Sequence, residues 1–193
     1  MYNNVDNENS KAKNILKIVC IVFIVLYNVF YYEYAFAGGN FARGTRLSGG
    51  WYKITIKTEN FQKSYTGQMK LEDISFSPTG RYLLVEKSVK NRQYFLEICD
   101  TSLFSDDLIF PVTEDASSMI EQIIKGRNNI FFKVAPEDRL SFDFEEWHDT
   151  EDYMKISYKT ADNKGNEKLT GYVWIDYGKH KIISHNEPYI NML

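Results

Sequence analysis

The sequence predicts a mainly β protein: an antiparallel meander of about ten strands with one short helix, propeller-like or sandwich, and not a complete closed propeller. Three observations carry this expectation. Apolar residues recur with a period of two through most of the chain after Trp51. Glycine, asparagine and aspartate cluster between these runs at hairpin spacing. A single segment, "DASSMIEQIIKG", has an apolar stripe of helical period.

Bulk properties set the outer bounds. Of 193 residues, 44% are hydrophobic and 16% aromatic, enough for a packed core and contrary to disorder. The net charge of −3 leaves no broad basic face, so nucleic acid is not an expected partner.

The chain opens with a polar segment carrying Lys11, Lys13 and Lys17, followed by the apolar "IVCIVFIVLYNVF" (18–30). Ala35 and Ala37 then stand where small residues precede a signal-peptidase cut. Residues 1–37 therefore read as a signal peptide, cleaved after Ala37, or as an N-terminal membrane anchor. In the anchor reading, residues 15–32 supply the membrane contact, near the ~17–25 residues a span requires. Either way the rest of the chain is exported, as a secreted, periplasmic or other cell-envelope protein. Residues 38–50, "GGNFARGTRLSGG", hold five of the eleven glycines and no acidic residue. Such a run is costly to order and reads as a flexible linker. A single β-rich domain is expected over 51–193.

Strand assignments follow from the alternation. In "WYKITIKT", Tyr52, Ile54 and Ile56 oppose Lys53, Thr55 and Lys57. "RLSFDF" (139–144) sets Leu140, Phe142 and Phe144 against Arg139, Ser141 and Asp143. "DYMKISYK" (152–159) sets Met154, Ile156 and Tyr158 against Lys155, Ser157 and Lys159. Each suits a sheet with one wet face. "RYLLVEKS", "QYFLEIC", "NNIFFKVA" and "GYVWIDY" are apolar on both faces and belong in the middle of the fold. Hairpin turns are expected at 88–93 around Asn91, at 160–168 using Asn163 and Gly165, and at 176–181 using Gly178 as the permissive residue. In the helix, Met119, Ile120, Ile123 and Ile124 share a face, with Asp115 as N-cap and Gly126 at the C-terminal end.

"LEDISFSPTGRYLLVEKSVKNRQYFLEICDT" (71–101) resembles one blade unit of the Tol-type or WD-type β-propeller repeats. The resemblance implies a strand entering Ser-Pro-x-Gly, a second strand after it, and a third reached by a hairpin. A weaker echo lies at 144–182, where Trp147 and Tyr153 match Phe76 and Tyr82 but the Pro and Gly are missing. The interval between the two copies far exceeds the ~40–45 residues of WD-type repeats. Residues 51–193 are also too few for four such blades. The meander therefore does not close alone.

Motif chemistry is sparse. No Gly-x-Ser-x-Gly, phosphate loop or zinc-spaced cysteine pair occurs, and no cofactor is expected. Cys20 lies in the leader, and Cys99 reads as a buried small hydrophobe. No Asn-x-Ser/Thr acceptor follows residue 37. Five residues separate His180 from His185 on an expected strand, so they face opposite ways, and no metal site is assigned. The acidic run "DFEEWHDTED" (143–152) reads as a solvated loop; its carboxylates are also the only candidates for Ca²⁺ or general acid–base work. Aromatics give the candidate ligand-binding residues. Tyr172 and Trp174 share one strand face, and Trp147 sits at a strand end. Such rings can stack on sugars or grip a peptide.

Three function classes follow. The first is an exported, non-catalytic cell-envelope domain that binds a protein partner or ligand. The others are an exported hydrolase using the acidic cluster 143–152, and a membrane-tethered structural or assembly subunit.

Overall fold

A strand with apolar side chains on both faces needs a partner layer on each side, and the architecture supplies two. The computed structural model describes residues 17, 32–88, 94–126, 134, 137–185 and 189–190. The first sheet comprises β1 (Tyr32–Ala37), β2 (Asn40–Arg46), β3 (Trp51–Lys57) and β4 (Gln62–Gln68). The second comprises β5 (Lys70–Phe76), β6 (Tyr82–Ser88), β7 (Tyr94–Asp100) and β8 (Thr113–Asp115). The third comprises β9 (Arg139–Trp147), β10 (Tyr153–Ala161), β11 (Glu167–Asp176) and β12 (Lys181–His185), with the short β13 (Tyr189–Ile190) beside β11. All neighbours pair antiparallel, and strands within each sheet follow chain order. The protein is thus mainly β with one described helix longer than a single turn, α1 (Ala116–Lys125), and its sheets do not close into a barrel.

The second sheet lies between two cores. Tyr82, Leu84, Leu96 and Ile98 join Met154, Ile156, Tyr158, Val173 and Ile175 of the third sheet, together with Ile120 and Ile124 of α1. Leu83, Val85 and Cys99 point the other way, to Tyr52, Ile54, Ile56 and Ala42 of the first sheet. "RYLLVEKS" and "QYFLEIC" are therefore central, as their double apolar faces require. "GYVWIDY" is not. In β11 Val173 and Ile175 are fully buried, while Tyr172 on the opposite face is 37% exposed. "NNIFFKVA" falls largely outside the described residues, as does the expected turn at Asn91.

The helix starts as the sequence indicates. The Asp115 carboxylate accepts from the Ser118 N–H, and the buried face runs through Ala116, Ile120 and Ile124. Gly126 sits at the C-cap with φ −59°, outside the left-handed region, and its N–H donates to the Ile123 carbonyl.

Two further expectations are corrected. Residues 38–50 are not a flexible linker. Gly38 and Gly39 make the turn between β1 and β2, with φ +54° and +78°, and β2 occupies most of the remaining run. Its glycine and alanine are needed where they stand. Ala42 is fully buried, and a Cβ on Gly44 would approach Leu71 Cδ2 to 2.6 Å. The β-rich body consequently includes β1 from Tyr32 rather than starting at Trp51, and β1 ends at Ala37, where cleavage was expected. The second correction concerns Gly178. His180 takes the positive φ of that turn, at +51°, whereas Gly178 is small because a Cβ there would stand 2.6 Å from the Tyr82 hydroxyl.

One end of the three sheets is laced together by turns. In the Ser-Pro-Thr-Gly turn, Gly80 has φ +77°, and the Ser77 N–H donates to the Tyr82 carbonyl at 2.8 Å. The His148 N–H donates to the Tyr153 carbonyl at the same distance, so the two turns share a closure despite their different sequences. Asn40 donates to the Gly80 carbonyl at 2.9 Å, and the Thr79 hydroxyl donates to Asp152 at 2.6 Å. Sheet one is thereby tied to sheet two, and sheet two to sheet three.

Because β6 is packed on both sides, Leu83→Ala and Leu84→Ala are each expected to cost about 2–5 kcal/mol in chemical denaturation. A strand with one wet face would show that loss at only one of the two positions.

Candidate functional site on the outer face of the C-terminal sheet

Alternation along β10 and β11 divides the third sheet into a packed face and an open face. Cross-strand pairing sets Lys155 opposite Trp174 and Ser157 opposite Tyr172, all on the open face. The Lys155 ammonium lies 5.2 Å from the Tyr172 ring centre and 5.8 Å from that of Trp174. Glu146, its neighbour across β9, accepts from it at 2.8 Å and raises its pKa. The His148 ring meets Trp174 edge-on at 5.6 Å. Its Nδ1 accepts from the backbone N–H groups of Thr150 and Glu151, which fixes its plane.

The arrangement is a row of rings around one cation. Each ring is held by a neighbour before any ligand arrives, so little side-chain entropy remains to be lost on binding. The row suits a partner surface offering apolar contact.

The structure brings Tyr172 and Trp174 together and does not bring Trp147 to them. Trp147 faces inward beside Phe144, with ring centres 5.6 Å apart, and its indole N–H donates to the Ser75 hydroxyl at 3.1 Å. There it joins the third sheet to β5. Lys155 and His148 were not singled out from sequence. The alternation of "DYMKISYK" places Lys155 on the wet face, but only the strand register puts it opposite Trp174.

The acidic run 143–152 is divided among structural roles. Glu146 holds Lys155, and both Asp152 oxygens accept from the Thr79 hydroxyl. Among the described residues, no group of three or more His, Cys, Asp or Glu side chains is placed to hold a metal ion. His180 sits in the turn before β12 rather than on it, and His185 ends that strand. Cys99 is buried in the core between the first two sheets, and burial pushes its thiol up to about 12, so it carries no thiolate at neutral pH.

A different carboxylate is the most perturbed. Glu86 follows Leu84 on the inward face of β6, half-buried, opposite Asp73 and within the field of Asp143 and Glu72. Burial first, then these like charges, push its pKa up to about 7.

No family model, no curated protein and no solved structure matches this chain. Its reading therefore rests on its own geometry.

The Glu86 shift has a defined consequence. A carboxyl whose folded pKa exceeds its unfolded value contributes stability that is complete below the unfolded value and is lost as pH rises through the folded one. The thermal midpoint should accordingly fall between about pH 4.5 and pH 7 and then level off. In Glu86→Gln that slope should flatten; an unchanged slope would remove Glu86 as its source.

Proposed function

We propose that the chain is a non-catalytic, exported binding protein of the cell envelope, held at the membrane by its own uncleaved leader. The observation that carries the binding role is the open face of β10 and β11, where Tyr172, Trp174 and Lys155 form one amphipathic surface. Both rings are already engaged by Lys155, which favours a flat protein contact over a sugar stacked on a bare ring.

Support for the anchor comes from β1. The apolar run 18–30 leads directly into Tyr32, and six residues of β1 pair with β2 up to Ala37. Cleavage after Ala37 would strip an edge strand from the first sheet, expose the β2 ladder and uncover Ala42. A leader that continues into an integral strand is better suited to staying attached. Among the described residues, no helix is long and apolar enough to cross a membrane.

Two outcomes are expected. Protein recovered from its native membrane should retain residues 32–37 by N-terminal sequencing or intact mass; a mature terminus at Gly38 would overturn the anchor. A photo-cross-linking residue at position 172 should trap a protein in native membranes, whereas the same residue at Glu59, in the β3–β4 turn, should trap none. Equal trapping at both positions, or none at either, would remove the binding face.

A further inference from the structure

A second site lies at the seam between the second and third sheets. Arg81, Tyr82, Ile98, Asp100, Glu114 and Tyr177 are among the residues around a cavity of about 140 Å³. That is well below the roughly 300–1,000 Å³ of pockets for drug-sized molecules, and it suits a single side chain.

The polar groups are built in. Tyr82 is only 4% exposed, and its ring meets Tyr177 edge-on at 5.4 Å. Tyr82 lines the cavity, with its hydroxyl beside Gly178. Tyr177, 3% exposed, donates to Glu114 at 3.0 Å and so aims that carboxylate at the cavity.

Charge decides the ligand. Arg81 is neutralised by three hydrogen bonds to Asp100, and Lys179 is held by Asp176 at 2.9 Å. Glu114 has no cationic partner among the described residues. The segment 101–124 adds Asp106, Asp107 and Asp115 and contains no lysine or arginine. Among the described residues the cavity thus presents one carboxylate without a cation, a tyrosine hydroxyl and the apolar walls of Ile98, Leu103 and Val112.

The same loop carries four exposed large apolar residues. Ile109 is 79% exposed and Phe110 63%, beside Leu103 and Val112 at 56% and 48%. Exposed apolar side chains contiguous with a polar pocket mark an interaction surface. The flanking carboxylates would be repelled by an anionic lipid surface.

We propose that this cavity receives the side chain of a lysine on a partner polypeptide, with Leu103, Ile109, Phe110 and Val112 gripping the apolar residues beside that lysine. The ammonium pairs with Glu114 and donates to the Tyr82 oxygen, and the methylenes lie along Ile98 and Val112. The cavity shares no residue with the Tyr172–Trp174 face and stands independently of that reading.

The test uses the full chain in detergent micelles, with a capped Leu-Leu-Lys-Leu-Leu peptide and its Nε-acetyl-lysine counterpart. Tyrosine ring resonances serve as the readout, assigned through Tyr82→Phe and Tyr177→Phe. The lysine peptide should shift the Tyr82 and Tyr177 signals and saturate in the ~millimolar range, while the acetylated peptide should not. Glu114→Gln, at an exposed position whose loss does not threaten folding, should weaken the lysine peptide by about ten-fold or more. Phe110→Ser should weaken the peptide yet leave the weaker shifts caused by n-butylammonium unchanged. Equal binding of both peptides, or binding indifferent to Glu114→Gln, would overturn the proposal. So would quenching of position 110 by zwitterionic lipid vesicles with no response to the lysine peptide, which would make the loop a membrane contact.

Discussion

The constraint on which the rest of this structure depends is the double packing of β6. Successive residues Leu83, Leu84 and Val85 are all fully buried, and in a strand successive side chains point to opposite faces. Such a segment cannot sit at a surface. It needs a sheet on each side, and the first and third sheets are those two layers. The outer sheets then need only one apolar face each, and β3, β9 and β10 alternate accordingly. Their far faces remain wet, which is why the Tyr172–Trp174 row is open to a partner.

Three layers of antiparallel sheet leave a problem of alignment, because apolar faces slide over one another more easily than hydrogen bonds allow. The turns address it. Asn40 reaches Gly80, Thr79 reaches Asp152, and Trp147 reaches Ser75, so each interface is pinned by at least one directional bond. The Ser-Pro-Thr-Gly phrase takes its meaning from this position. Gly80 supplies the positive φ and leaves room for the Ala37 carbonyl, which a Cβ at position 80 would strike. The acidic run 143–152 is drawn into the same lacing through Asp152, and its carboxylates act there as acceptors for neighbouring donors.

Pairing of charge separates the structural surface from the candidate sites. Arg81, Lys155 and Lys179 each hold a carboxylate. Lys155 is distinguished by also leaning on two rings, and Glu114 by having a tyrosine donor and, among the described residues, no cation. Groups arranged in this way keep their geometry before a ligand arrives, which is the general condition for selective contact at small cost in order.

By itself the sequence determined the class, the period of the core strands and the helix. Tyr52–Ile54–Ile56, Met154–Ile156–Tyr158 and the Asp115 cap are local patterns, and a period of two or 3.6 is legible wherever one face meets water and the other does not. The double apolar face of β6 also identified the central layer. Only tertiary structure decided what the glycine-rich run 38–50 would be, because a strand made of Gly44, Ala42 and Arg43 has no periodic signal and forms only where β1 and β3 supply its ladder. It likewise decided that Trp147 faces inward while Tyr172 and Trp174 face out, and that Lys155 stands between the two outward rings. Strand register sets those relations, and register is a property of pairs of strands rather than of either strand alone. The pocket of Tyr82, Glu114 and Tyr177 draws on three separate segments, brought together only when the second and third sheets meet.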